Sequence, residues 1–73
     1  MERSTKGDLD ATLVLADYLI SRNKYAKAFI IVSNALKLHY RDPTLWSLLS
    51  KIYAAEGERE RSVTASAKAA KYS

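Results

Sequence analysis

Cysteine is absent from this chain, so neither a disulfide nor a thiolate metal site can brace its interior. That absence weighs heavily at 73 residues, a length that buries only roughly 60% of the surface exposed by the unfolded chain. Stability must therefore come from packing alone. The longest apolar stretches, 13–16 and 28–32, fall far short of the roughly 20 residues needed to cross a bilayer. Residues 1–8 lack the apolar centre of a secretory signal, and with no cysteine the chain is expected to be soluble and cytoplasmic. Histidine occurs once, at His39, with no second histidine or cysteine to share a metal. No glycine-rich turn is present to cradle a phosphate, and no base is spaced to activate the many Ser and Thr hydroxyls. Asp8 and Asp10 read as charges favouring the start of a helix, not as an acid/base pair. No enzyme, cofactor or metal site is expected.

What remains is an apolar fraction of 48% against 27% charged residues, the balance of a globular chain and not of a disordered one. The formal charge of +4 comes from basic residues spread along the chain and interrupted by acids, which describes a solvated surface. Helical spacing dominates. Asp8 is placed to cap a first helix carrying Leu9, Leu13, Ala16, Leu19 and Ile20 on one face, so that residues 1–8 form a flexible segment ahead of a domain over 9–73. Asn23, tolerant of the left-handed conformation, stops that helix near Arg22. A second helix, 25–39, places Ala28, Phe29, Val32, Ala35 and Leu36 together. Asp42-Pro43 is a strong start signal, an aspartate cap followed by a proline where no amide partner is needed. The third helix continues through Leu45, Trp46, Leu49, Ile52 and Tyr53 to a stop at Gly57. The fourth, 58–72, offers only Val63 and a run of alanines. Short loops make neighbouring helices antiparallel.

A shift of 34 residues lays the chain on a second copy of its own pattern. Leu15 falls on Leu49, Ala16 on Ser50, Leu19 on Tyr53, Asn23 on Gly57, Ala28 on Ser62, Val32 on Ser66 and Ala35 on Ala69. Small residues at Ala16, Ala28, Ser50 and Ser62 let paired helices approach closely, and larger ones fill the space beside them. With this period, and with Trp46, Leu49, Ser50, Tyr53, Gly57, Ser62 and Ala69 in order, the chain resembles tetratricopeptide-repeat (TPR) proteins. The first unit matches less fully, with Thr12 where Trp46 stands in its twin. The resemblance implies an all-α fold of two tandem TPR-like hairpins, repeat one 9–42 and repeat two 43–73, as four antiparallel helices in a short right-handed solenoid. The stretch 46–57 is also similar to pentatricopeptide RNA-binding repeats. That family's period is one residue longer, and two units would read only about two bases.

In TPR proteins the first helix of each unit lines a concave groove. The resemblance therefore implies a partner groove of Leu13, Asp17, Ile20 and Ser21 with Ser47, Lys51, Ala54 and Ala55. Asp17 opposes Lys51, which disfavours a clamp for a free carboxylate and suits an amphipathic helix held by spaced apolar anchors. The alternative is that Leu13 and Ile20 simply complete the core. Phe29, Ile30 and Ile31 form a second candidate, because an outer helix should be polar on its back and this one is not. Ile30 and Ile31 find no home in a two-unit stack and are expected to be buried against another chain, each contributing about 1.5–3 kcal/mol. Arg22, Lys24 and Lys27, with Arg59 and Arg61 one repeat later, are expected to form a weak basic rim.

These features together suggest a protein-binding adaptor or chaperone that holds an amphipathic or hydrophobic helix of a partner protein. Very short members of this kind are similar to the chaperones of type III secretion needle, rod or export substrates. Two other roles stay open: a scaffold subunit in a permanent homo- or hetero-oligomer, and a short RNA-binding helical repeat. No membrane insertion is expected.

Overall fold

The computed structural model describes residues 5–73, with side chains from residue 9 onward. They form four helices: α1 (Thr5–Ser21), α2 (Tyr25–Leu38), α3 (Pro43–Ala55) and α4 (Arg59–Tyr72). No strand occurs among the described residues, and the chain is all-α, as its periodicity implies. α1 starts at Thr5 and not behind a cap at Asp8, which corrects the expected boundary. Gly7 is the poorest helix former of residues 5–8, costing about 1 kcal/mol, and the helix runs through it. Of the segment 1–8 expected to be flexible, residues 5–8 are thus helical and 1–4 lie outside the described residues.

The two hairpin turns are built alike, 34 residues apart. Asn23 adopts φ +64°, its N–H donates to the Ile20 carbonyl at 3.0 Å, and Lys24 N–H donates to the Leu19 carbonyl at 2.8 Å. Gly57 adopts φ +80°, its N–H donates to the Ala54 carbonyl at 3.2 Å, and Glu58 N–H donates to the Tyr53 carbonyl at 2.8 Å. Both are Schellman closures, in which a left-handed residue lets two amides turn back onto orphan carbonyls of the last turn. Between the hairpins, the Asp42 carboxylate accepts from Thr44 N–H at 2.8 Å and Leu45 N–H at 3.3 Å, with Pro43 at the first helical position. This is the start that Asp42-Pro43 dictates.

Packing runs between consecutive helices. α1 lies on α2, α2 on α3 and α3 on α4, with a minor contact of α1 on α3, and α3 is the one helix that α4 packs on. The interior is Ala16 and Leu19 of α1, Ala28, Val32 and Leu36 of α2, Leu45, Leu48, Leu49 and Ile52 of α3, and Ala65 of α4. α3 supplies most because it is covered on both sides.

The paired small residues close each hairpin by a different chemistry. Ala16 and Ala28 are fully buried, so the α1–α2 seam is apolar. In the second hairpin Ser50 and Ser62 each donate a hydroxyl hydrogen bond to the other's carbonyl at 3.0 Å. At the far end of α4, Lys68 fastens the helix to the α2–α3 loop. Its Nζ lies 3.2 Å from the Tyr40 hydroxyl, 5.6 Å from the Tyr40 ring centroid and 5.4 Å from that of Trp46. Trp46 Nε1 donates to the Tyr40 carbonyl at 2.6 Å, and the Tyr40 ring meets Trp46 edge-on at 5.5 Å and Tyr72 at 5.9 Å. α4 is therefore held by a polar seam at one end and an aromatic–cation corner at the other, in place of a wide apolar face.

Candidate protein-binding surfaces

The first helices of the two hairpins, α1 and α3, border an open recess of about 310 Å³ lined by Leu13, Val14, Asp17, Thr44, Leu48 and Lys51. Helical spacing puts Leu13 and Asp17 one turn apart on α1, and the 34-residue offset brings Lys51 alongside from α3. Three of the anticipated groove residues, Leu13, Asp17 and Lys51, are thus brought together. Ile20, Ser47 and Ala54 do not line this recess. Ile20 is half-buried against the core, as Leu13 also is, so both side chains contribute to packing. Ser47 is exposed, and Ala54 faces a different recess of about 280 Å³ with Gly57, Arg59, Ser62 and Val63. Ser21 and Ala55 are exposed at the ends of their helices. Val14, Thr44 and Leu48 were missed by sequence reasoning. The offset itself pairs Val14 with Leu48 and could have found those two, but not Thr44.

The three residues of the proposed association surface separate. Phe29 leans on Tyr53, ring centroids 5.9 Å apart, and so bridges α2 to α3. Ile31 is half-buried and packs on the core, which corrects the expectation that it has no home in this stack. Ile30 stays exposed and, with Leu15, Leu19, Lys27 and Ile31, lines a recess of about 340 Å³ between α1 and α2. That recess has a twin in the second hairpin. Leu49, Tyr53, Arg61, Thr64 and Ala65 stand 34 residues beyond those five and, with Trp46, Glu60 and Lys68, line one of about 360 Å³.

The basic residues do not converge on one site. Arg22, Lys24, Lys27, Arg59 and Arg61 are all exposed near the two hairpin turns, but Lys27, Arg59 and Arg61 line three separate recesses. Arg22 lies over the Tyr18 ring, Cζ 6.0 Å from its centroid. Arg61 lies at the same distance over Tyr53, with its Nε 3.9 Å from the Glu58 carboxylate. The perturbed titrations lie elsewhere, at the aromatic corner. The Lys68 hydrogen bond, helped by Tyr72, holds the Tyr40 phenol below its ordinary value, and the same bond to Tyr40 raises Lys68.

No protein family, curated protein or solved structure matches this chain. Its surfaces must be read on their own terms. Among the described residues no helix is long and apolar enough to cross a membrane.

Proposed function

We propose that this chain is a cytoplasmic protein-binding adaptor or chaperone of the TPR kind that holds an amphipathic helix of a partner protein. The observation behind this reading is the recess between α1 and α3. Leu13, Val14 and Leu48 give it an apolar base, and Asp17 and Lys51 place one charge of each sign at its rim. A helix with large apolar residues at i, i+3 or i+4 and i+7 fits such a floor, and opposite flanking charges fix its direction. Size and the helical-repeat pattern extend the proposal to a chaperone that shields a needle, rod or export substrate of type III secretion before assembly. The division of the basic residues among separate recesses favours a protein client over RNA, which needs a continuous positive track.

A photo-crosslinking residue at Ser47, exposed on α3 one turn before Lys51, tests this in the native cell. The expected product is one protein joined through an amphipathic helical segment, lost on Lys51→Glu combined with Asp17→Lys. Crosslinks scattered over many proteins, or to nucleic acid, would overturn the reading.

A further inference from the structure

α1 presents to solvent the row that α3 keeps inside. Residues 11, 14, 15 and 18 of α1 stand 34 positions before 45, 48, 49 and 52 of α3. Leu48, Leu49 and Ile52 are 6, 5 and 0% exposed, whereas Val14, Leu15 and Tyr18 are 71, 47 and 55% exposed. α3 is flanked there by α2, and among the described residues no helix takes the corresponding place on α1. Ile30, exposed on α2 beside Leu15, extends the apolar patch across the hairpin.

We propose that a second copy of this chain covers this face, α1 against α1 in antiparallel sense about a two-fold axis. Asp10, Val14, Tyr18 and Arg22 succeed one another at four-residue intervals, all exposed, as one i±4 ridge of α1 and its closing turn, inclined about 26° to the helix axis. The row has an acid at its start and a base at its end. The midpoint of residues 10 and 22 is residue 16, beside Leu15. An axis there, with the two ridges interdigitated at a crossing of about −50°, sets Asp10 of each copy opposite Arg22 of the other, the two such pairs about 18 Å from one another along the helix, and in the same act centres Val14, Leu15 and Tyr18 on themselves. The antiparallel arrangement also opposes the two helix dipoles favourably. The face carries its own knob and hole, the protruding Tyr18 ring beside the recess of about 340 Å³ at Leu15, Leu19, Ile30 and Ile31. Self-complementarity of this sort is what a closed two-fold interface requires. The opposite end of the stack is a poorer occupant. Where α2 offers Phe29, Val32 and Leu36, α4 offers Val63, Ser66 and Ala70. This inference goes beyond the adaptor reading and shares Val14 with the α1–α3 recess, whereas Asp10, Leu15, Tyr18 and Arg22 lie outside it, so a single-copy result leaves Leu13, Asp17, Leu48 and Lys51 of that recess untouched.

The absence of cysteine makes the test direct. The full chain is sedimented over roughly 1 μM to 1 mM, and Leu15→Cys and Val63→Cys are oxidised mildly in parallel. Two-copy mass is expected, with Leu15→Cys converting to a disulfide-linked pair and Val63→Cys remaining single. Asp10→Arg should weaken pairing about tenfold, since two symmetric ion pairs are lost, and Asp10→Arg with Arg22→Asp should restore it. Tyr18→Glu, which lies outside the α1–α3 recess, should abolish pairing while circular dichroism keeps its helical signal. One-copy mass throughout, cross-linking at Val63 equal to that at Leu15, or no rescue by the double charge swap would each overturn the proposal. A single copy that binds only a foreign helix on this face would overturn it too.

Discussion

The two hairpins share a turn, a register and a leucine, yet they treat that leucine in opposite ways. Leu49 is buried beneath α2 and α4, and Leu15, its counterpart, is half open to water. Residue type and local helix geometry are the same at both places. The difference lies in the neighbours, because α3 sits between two helices and α1 at the end of the stack. Burial in a repeat is therefore a property of position in the stack and only secondarily of sequence.

The largest expected effect exploits that pair. Leu49→Ala should cost about 2–5 kcal/mol by loss of packing and by the cavity it leaves. Leu15→Ala should cost the single copy under about 1 kcal/mol. Urea unfolding monitored by circular dichroism compares them, and equal losses would end the distinction. For a domain stabilised by about 5 kcal/mol, Leu49→Ala approaches collapse.

Next comes the turn. A Cβ added at Gly57 meets nothing within 4 Å, so Gly57→Ala tests the backbone alone. A destabilisation of about 1–2 kcal/mol is expected, with Gly57→Asn milder because the first hairpin already uses Asn23 in that conformation. Should alanine prove neutral, the left-handed closure is not what sets the hairpin.

The seams give a smaller effect. Ser62→Ala removes one donor and leaves the Ser50 carbonyl short of a partner, at about 1 kcal/mol. Ser50→Ala with Ser62→Ala imitates the Ala16–Ala28 seam and should recover most of that loss. Additive losses in the double variant would show that the two seams are not interchangeable.

The last test concerns the corner that only the second hairpin has. Tyr40 should ionise below the ordinary phenol value in an ultraviolet titration, and Lys68→Met should move it back towards that value. The sign follows from the directions. Tyr40 is lowered, so its contribution is present above the ordinary phenol value and fades as pH falls through its own. Lys68 is raised, so its contribution is present below the ordinary amine value and fades as pH rises through its own. Phenolate and ammonium coexist only in the alkaline window between the two. An unshifted Tyr40 would mean that the corner is packing without a charge clasp.

Helix ends were legible in the sequence wherever a side chain or a special backbone angle fixes them. Asp42-Pro43, Asn23 and Gly57 mark their boundaries by local chemistry, and the structure uses all three. Asp8 misled because a good cap residue is also tolerated inside a helix, and the helix continued past it to Thr5. Ile31 misled for a different reason. The apolar run 29–32 shows no polar back, and periodicity alone does not divide it between Val32, which is fully buried, and Ile30, which is not. The groove was only partly visible because spacing finds residues on one helix face. Thr44 joins it by the way α3 lies on α1. The exposed row of Val14, Leu15 and Tyr18 was encoded in the offset but not its exposure, since no pattern within a helix records a missing neighbour.

That α4 packs on no helix but α3 has a consequence for motion. It can lift away as one piece once Lys68 and Tyr72 release Tyr40 of the α2–α3 loop, whereas α3 moves only if both its flanks give way. Amide hydrogens of the last helix would then exchange through a shallow local opening, and those of α3 would wait for the whole molecule to come apart.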